Sequence, residues 1–190
     1  MINIHIDSNV IVASEIKTEI HHKESKEFME YVLRNDKKSI IFSTSVFTFL
    51  ELASAMIRRT KDRDKVYSLL YRIRNSWKDS IKPLPPMPPK KITSITRLVD
   101  HLVETSVKFR TPAADTFHAQ TVYAFNTDYL ITWNKKDFLH MRKYIKTLKI
   151  FTPTEILGEL KKIKLRGQNN YKKFVTYFSS IRNKAAHGRL

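Results

Sequence analysis

Ile2, Ile4 and Ile6 alternate with Asn3 and His5, and the alternation stops at Asp7-Ser8-Asn9. That is the pattern of a strand ending in a turn. From Val10 to about Arg34 the spacing becomes helical, through Ile16, Ile20, Phe28, Val32 and Leu33. A break is expected near His21-His22, a solvated interruption and not a ligand pair. Ser39-Ile40-Ile41-Phe42 predicts a second short strand. Ser43, Thr44 or Ser45 is placed to cap the helix that follows, running to about Arg59. Asp62 to Trp77 carries Val66, Leu69, Leu70 and Ile73 on one face of another helix. Five prolines between Pro83 and Pro89 then predict a stiff, extended connector that ends regular structure, a rigid surface loop more than a proline ligand. Ile92 to about Phe109 returns to helix through Ile95, Leu98, Leu102, Val103 and Val107. Pro112 suits the first turn of the next helix. Tyr129 to Thr132 is a strand, Asp137 to about Tyr144 a short helix and Thr147 to Phe151 a last strand. Pro153 opens one more helix.

Strands that alternate with helices imply an α/β fold with a parallel sheet covered on both faces. Such folds bind ligands beyond the carboxyl ends of their strands. Three acids stand at junctions of that kind. Asp7 ends the first apolar run, Glu51 interrupts the apolar stretch Val46 to Met56, and Asp115 opens the run to Phe125. A carboxylate in an apolar segment is costly unless it is paired or bound to a cation. Together the three suggest a shared site for a hard metal ion. Any one of them alone could simply neutralise a lysine, and Asp7 or Asp115 alone reads better as an ion-pair partner or a helix cap than as a metal ligand.

Composition narrows the partner. The chain of 190 residues allows one ordinary domain with a real core, and 42% hydrophobic residues with three glycines fit a helix-rich globular protein. The net charge of +17 attracts a polyanion: RNA, DNA or an anionic membrane surface. No apolar stretch reaches the roughly 18–20 residues that span a bilayer. The N-terminus has no basic segment leading into an apolar one, so a cytoplasmic protein is expected. The absence of cysteine excludes disulfides, zinc-thiolate sites and thiol redox chemistry. A nucleic acid is therefore the leading partner, with a generally basic proteome or an acidic protein partner as the alternative. Residues 158–190 hold nine Lys and Arg against one acid. Tyr171, Phe174, Tyr177 and Phe178 lie among these cations, to stack on bases or to dock a helix on the domain.

The residues Ile6-Asp7-Ser8-Asn9-Val10, Phe49-Leu50-Glu51-Leu52, Ala114-Asp115-Thr116-Phe117-His118-Ala119 and Leu130-Ile131-Thr132-Trp133-Asn134-Lys135-Lys136-Asp137-Phe138 together resemble a PIN domain. The resemblance is greatest to the toxin-like nucleases of bacterial and archaeal toxin–antitoxin pairs. It covers roughly residues 1–157 and leaves 158–190 as a basic, helical extension. It implies a Rossmann-like parallel sheet of four to five strands flanked by helices. It also implies a metal-dependent endoribonuclease in which Asp7, Glu51 and Asp115 gather around one or two Mg²⁺ or Mn²⁺ ions. Asp7 and Asp115 would approach the metal most directly, and Glu51 through water or by positioning the nucleophile. RNA as substrate, a homodimer and an inhibiting antitoxin are the implied partners.

One position departs from the family. Where a fourth acid is usual, this chain has Asn134, whose amide oxygen coordinates or holds a metal-bound water but brings no charge. Asp137 matches a mostly structural acid. Thr132 is placed to hydrogen-bond a carboxylate or phosphate, Ser8 and Asn9 to stabilise the turn and cap the next helix. His118, one turn after Asp115, reads as a packed, hydrogen-bonded histidine within reach of the same site. Near the end, Arg182 and His187 have the spacing of the Arg-Asn…His motif of HEPN ribonucleases, in too short a context for such a domain. A catalytically weakened RNA-binding module, and a toxin specific for one structured RNA, stand as the alternatives.

Overall fold

β1 (Ile2–Ile6) buries Ile4 and Ile6 completely and lies at the middle of a five-stranded sheet. The computed structural model describes residues 2–35 and 39–160. The other strands are β2 (Ile40–Ser45), β3 (Ile81–Leu84), β4 (Tyr129–Ile131) and β5 (Lys149–Phe151). They stand in the order β3-β2-β1-β4-β5, and every pairing is parallel. Parallel neighbours need crossovers, and helices supply them. All five strands belong to the unit Met1–Thr154; the chain divides there, and a second unit begins at Glu155. The α/β class and the parallel sheet expected from the sequence are what the structure has.

Helices α1 (Ser8–Glu15), α2 (His22–Leu33), α3 (Thr48–Thr60) and α4 (Arg63–Trp77) precede β3. Helices α5 (Ile95–Phe109), α6 (Ala113–Ala124) and the short α7 (Lys135–Phe138) follow it. α1 packs on α2 and α3, α3 on α4, α5 on α6, and α6 on β2. Phe109, Ala119, Val122, Leu130, Phe138, Met141 and Ile150 form one buried cluster where α5, α6, β4 and β5 meet. Among the described residues, no helix is long and apolar enough to cross a membrane.

The order of the strands locates a crevice. From β1 the chain builds outward through β2 to β3, then returns to β1's other side for β4. The strand order reverses there, between β1 and β4, and open parallel sheets bind ligands beyond the carboxyl ends of the strands at such a point. Asp7 follows β1 directly, and Thr132 follows β4.

Four sequence expectations need correction. The proline-rich stretch is not connector throughout, because Ile81–Leu84 joins β2 as the fifth strand. It can do so because it pairs on one side only. An edge strand tolerates Pro83, which has no N–H to give. Ser43, Thr44 and Ser45 do not cap a helix from outside a strand; they are the last residues of β2. Their hydroxyls still serve the next helix. Thr44 Oγ1 lies 2.7 Å from Thr48 Oγ1, and Ser45 Oγ accepts the Phe47 N–H at 3.2 Å. The helical break is also wider than expected: α1 stops at Glu15 and α2 begins at His22. The segment Asp137 to Tyr144 is only partly α-helical, continuing as a 3-10 helix over Leu139–Lys143. A helix opens at 153 as expected. The aromatic and basic positions from Tyr171 on, with Arg182 and His187, lie outside the described residues.

Phe138 is fully buried, whereas Val107 is 74% exposed. Phe138→Ala is expected to destabilise by about 3–5 kcal/mol, and Val107→Ala by under about 0.5 kcal/mol. Urea denaturation with an unchanged slope checks both.

Candidate active site

A carboxylate at the end of a buried strand has to find its partners locally. Asp7 is 1% exposed. Its backbone N–H donates to Ile131 O at 2.9 Å, which joins the end of β1 to the end of β4. Its carboxylate accepts the Thr132 O–H at 2.7 Å and the Ser8 O–H at 3.4 Å. Thr132 Oγ1 also accepts from Asn9 Nδ2 and from the Asn134 N–H, each at 3.0 Å. One donor and two lone pairs are the whole capacity of a hydroxyl, and all are used. Asn9 Oδ1 takes the Trp133 N–H at 3.3 Å. The turn after β1 is thus laced to the loop after β4. Asp7 occupies the N-cap position of α1 but makes no capping bond with its side chain. Nor does Asn9 cap; it crosses to Thr132 and Trp133.

His5 and Asp7 are two residues apart on an extended strand, so they face the same way. α6 lays His118 over that face, and α3 brings Glu51. His118 Nε2 lies 3.1 Å from Glu51 Oε2 and 3.6 Å from Asp7 Oδ1. Its Nδ1 is 3.0 Å from His5 Nε2, and His5 Nδ1 is 3.4 Å from Ser43 Oγ. Ser43 Oγ in turn lies 3.4 Å from Ile4 O. Phe47, one turn before Glu51, stacks on Phe117 beside His118 with ring centroids 3.7 Å apart, clamping α3 to α6. His118 is packed and hydrogen-bonded, as the sequence suggested, but it also stands between two carboxylates. His5 was missed. The signal was a polar residue in an apolar strand, two positions before the leading acid.

The charges follow from this packing. Burial lowers the His118 pKa, but Asp7 and Glu51 outweigh it and hold the imidazole above its ordinary value. His5 is pushed well below, first by burial and then by the His118 charge. With His118 protonated and His5 neutral, each proton in the line has an acceptor. Glu51 takes one from His118, His5 takes the other, Ser43 takes that of His5, and Ile4 O takes that of Ser43. Burial raises the Asp7 pKa, with His118 and Thr132 opposing.

Asp115 lies in the first turn of α6, three residues before His118. Its pKa is pushed up to about 7, by burial first, then by Asp7 and Asp137, with Glu51 adding and His118 opposing. Asp7, Glu51 and Asp137 are thus all near enough to Asp115 to raise its pKa. The Asn134 amide donates to Asp137 Oδ2. Among the described residues, no three His, Asp or Glu side chains stand in a metal-holding arrangement. The side chains in hand are nonetheless of the right kind. Asp7, Glu51, Asp115 and the Asn134 amide offer hard oxygens only, which suit Mg²⁺ or Mn²⁺. Their mutual repulsion is of the sort a bound dication relieves.

The Asp115 shift has a stability consequence. Below about pH 4 the group is protonated in folded and unfolded chains alike. As pH rises toward the folded value of about 7, only the unfolded chain releases the proton, so stability falls across that window and the penalty is full above it. Asp115→Asn removes the penalty. Its stability advantage over the wild type in EDTA is expected to be larger at about pH 8 than at about pH 5, as read by urea denaturation at both.

No family model and no curated protein matches this sequence. The structure is similar to a chain in the 2.2 Å structure of VapBC-1 from nontypeable Haemophilus influenzae. The match has a TM-score of 0.53 at 17% identity and covers 80% of this chain and 99% of that one. At that identity it is the fold that the two chains share, and it supports a PIN-like architecture.

Proposed function

We propose that this protein is a metal-dependent endoribonuclease of the PIN kind, acting as the toxin of a toxin–antitoxin pair. The observation that carries the reading is the convergence at the switch point of the sheet. Asp7 from the end of β1 and Glu51 from α3 both reach His118 of α6, at 3.6 and 3.1 Å, and both raise the pKa of Asp115 in the first turn of that helix. Asp7 and Asp115 would hold Mg²⁺ or Mn²⁺ most directly, Glu51 through water, and Asn134 by its amide oxygen. The ion, when bound, activates a water and offsets charge building on the phosphate.

The protein's own residues do the rest. Thr132 fixes which way the Asp7 carboxylate points, since its hydroxyl proton goes to Oδ2. His118 holds Glu51 toward the crevice and offsets part of the carboxylate charge. The net charge of +17 supplies sequence-independent affinity for the RNA backbone, which weakens with salt. The basic extension 158–190 adds to that affinity as an appendage to the nuclease domain 1–157. A partner surface is available as well. Ile95, Val99, Val103 and Val107 recur every fourth residue on α5 and are 50–81% exposed. A second copy or an antitoxin would cover such a stripe.

A second reading has specific support. The Asn134 amide is engaged by Asp137, and Asn134 lacks the charge of the acid expected there. A catalytically weakened RNA-binding module would have these features.

Cleavage of labelled RNA in Mn²⁺, Mg²⁺ or EDTA decides between the two. The expected result is cutting that needs the metal and falls about a hundredfold or more in Asp7→Asn. RNA bound but uncut in every condition, on folded and unstructured substrates alike, would favour the weakened module. Asn134→Asp is expected to lower the Mn²⁺ concentration for half-maximal cleavage by about tenfold, read from a metal titration of the rate.

A further inference from the structure

Trp133 stands between Thr132, which bonds Asp7, and Asn134. Its backbone N–H is held by Asn9 Oδ1, and its indole N–H donates to Ser25 Oγ at 2.8 Å. Fixed at both ends, the ring lies flat on His21, with centroids 3.9 Å apart and planes 15° from parallel. His21 belongs to the segment 16–21 that separates α1 from α2, and that segment is tied down. The Glu19 N–H bonds Ile16 O at 3.0 Å, the His22 N–H bonds Glu19 O at 3.1 Å, and the Ser25 N–H bonds His21 O at 3.0 Å. His22 Nδ1 lies 2.8 Å from Ala13 O, and the Glu19 carboxylate pairs with Arg59 of α3.

What this braced segment presents is nevertheless open to solvent. His21 remains exposed although Trp133 covers one face of its ring. Ile20 beside it is 92% exposed, the most of any large apolar residue described. A flat ring immobilised from behind, with an isoleucine in water next to it, contributes nothing to the core. It is a platform whose ordering cost has already been met by the fold.

We propose that His21, backed by Trp133 and flanked by Ile20, is a stacking subsite for one unpaired base of a single-stranded RNA whose phosphate chain passes the acid cluster. The inference rests on the ribonuclease reading above and adds where, and in which state, the substrate is gripped. Every base has a flat face, so stacking tolerates any sequence. Bases inside a duplex are already stacked and cannot reach such a ring. Lys17 and Lys23 are exposed before and after His21 in the chain, and Lys136 is exposed just beyond Asn134, so phosphates flanking the base meet positive charge. Trp133 ties the platform to the cluster, because its own backbone is part of the lacing between β1 and β4. An apolar protein segment would also cover Ile20, but it needs no exposed ring fixed parallel to a second one.

The test is binding, read by anisotropy with a short labelled single-stranded oligoribonucleotide and a duplex of the same length, in Ca²⁺ at a concentration that supports no cleavage. His21→Ala is expected to bind the single strand about tenfold more weakly and the duplex no differently. His21→Phe is expected to stay within about twofold of the wild type, because a ring is restored. Both variants change an exposed side chain and are expected to fold. If wild-type protein binds the single strand and His21→Ala binds it equally well, the subsite is wrong and the nuclease reading survives. An equal loss on single strand and duplex would also overturn it, since that is a charge or folding effect. Failure of the wild type to bind either RNA would sink both.

Discussion

The carboxylate of Asp7 is removed from water at the point where the parallel sheet reverses its direction of growth. An isolated charge there would cost several kcal/mol, and much of the neighbouring structure is what reduces that cost. Thr132 must reach it from β4, so the ends of β1 and β4 are held in register. Thr132 can point its proton at Asp7 only because Asn9 and the Asn134 backbone supply its other two bonds. His118 must come over it from α6, which fixes how that helix lies across the sheet.

A second constraint comes from His118 itself. A fully buried imidazole resists protonation, and here two carboxylates overrule that resistance. The charge then needs an outlet for its second N–H, and His5 provides it. His5 in turn leans on Ser43, its partner in the register of β1 with β2. A chain of hydrogen bonds thus runs from β2 through β1 and α6 to α3, and the position of Glu51 is decided three elements away from its own helix. Low dielectric makes such a network worth more when complete and more damaging when broken.

The same loop after β4 serves the outside of the molecule. Thr132 turns inward to Asp7 while Trp133 turns outward to Ser25 and His21. Alternation along an extended segment sends neighbouring side chains to opposite sides, so one dipeptide fixes both the buried acid and the exposed platform. The apolar stripe on α5 remains exposed for a different reason. Thr105 and Phe109 take the buried face of that helix, and Val99, Val103 and Val107 fall on its other side.

Much of the fold is legible in the sequence alone. Ile2-Ile4-Ile6 with its stop at Asp7 defined the first strand, because alternation in a short run has few other solutions. The order of strand and helix patterns gave the parallel sheet, and Asp7, Glu51 and Asp115 stood out as acids in apolar surroundings. Local patterns of this kind are set by nearest neighbours, and sequence records them. β3 was not legible, because Pro83 argues against a strand unless one knows that the strand is an edge, and being an edge is a property of the whole sheet. Neither was the role of His5. Its ring takes on meaning only when His118, 113 residues away, is laid against it. Which groups carry charge was likewise left to the tertiary structure, since ionisation depends on burial and on neighbours that only the folded chain brings together.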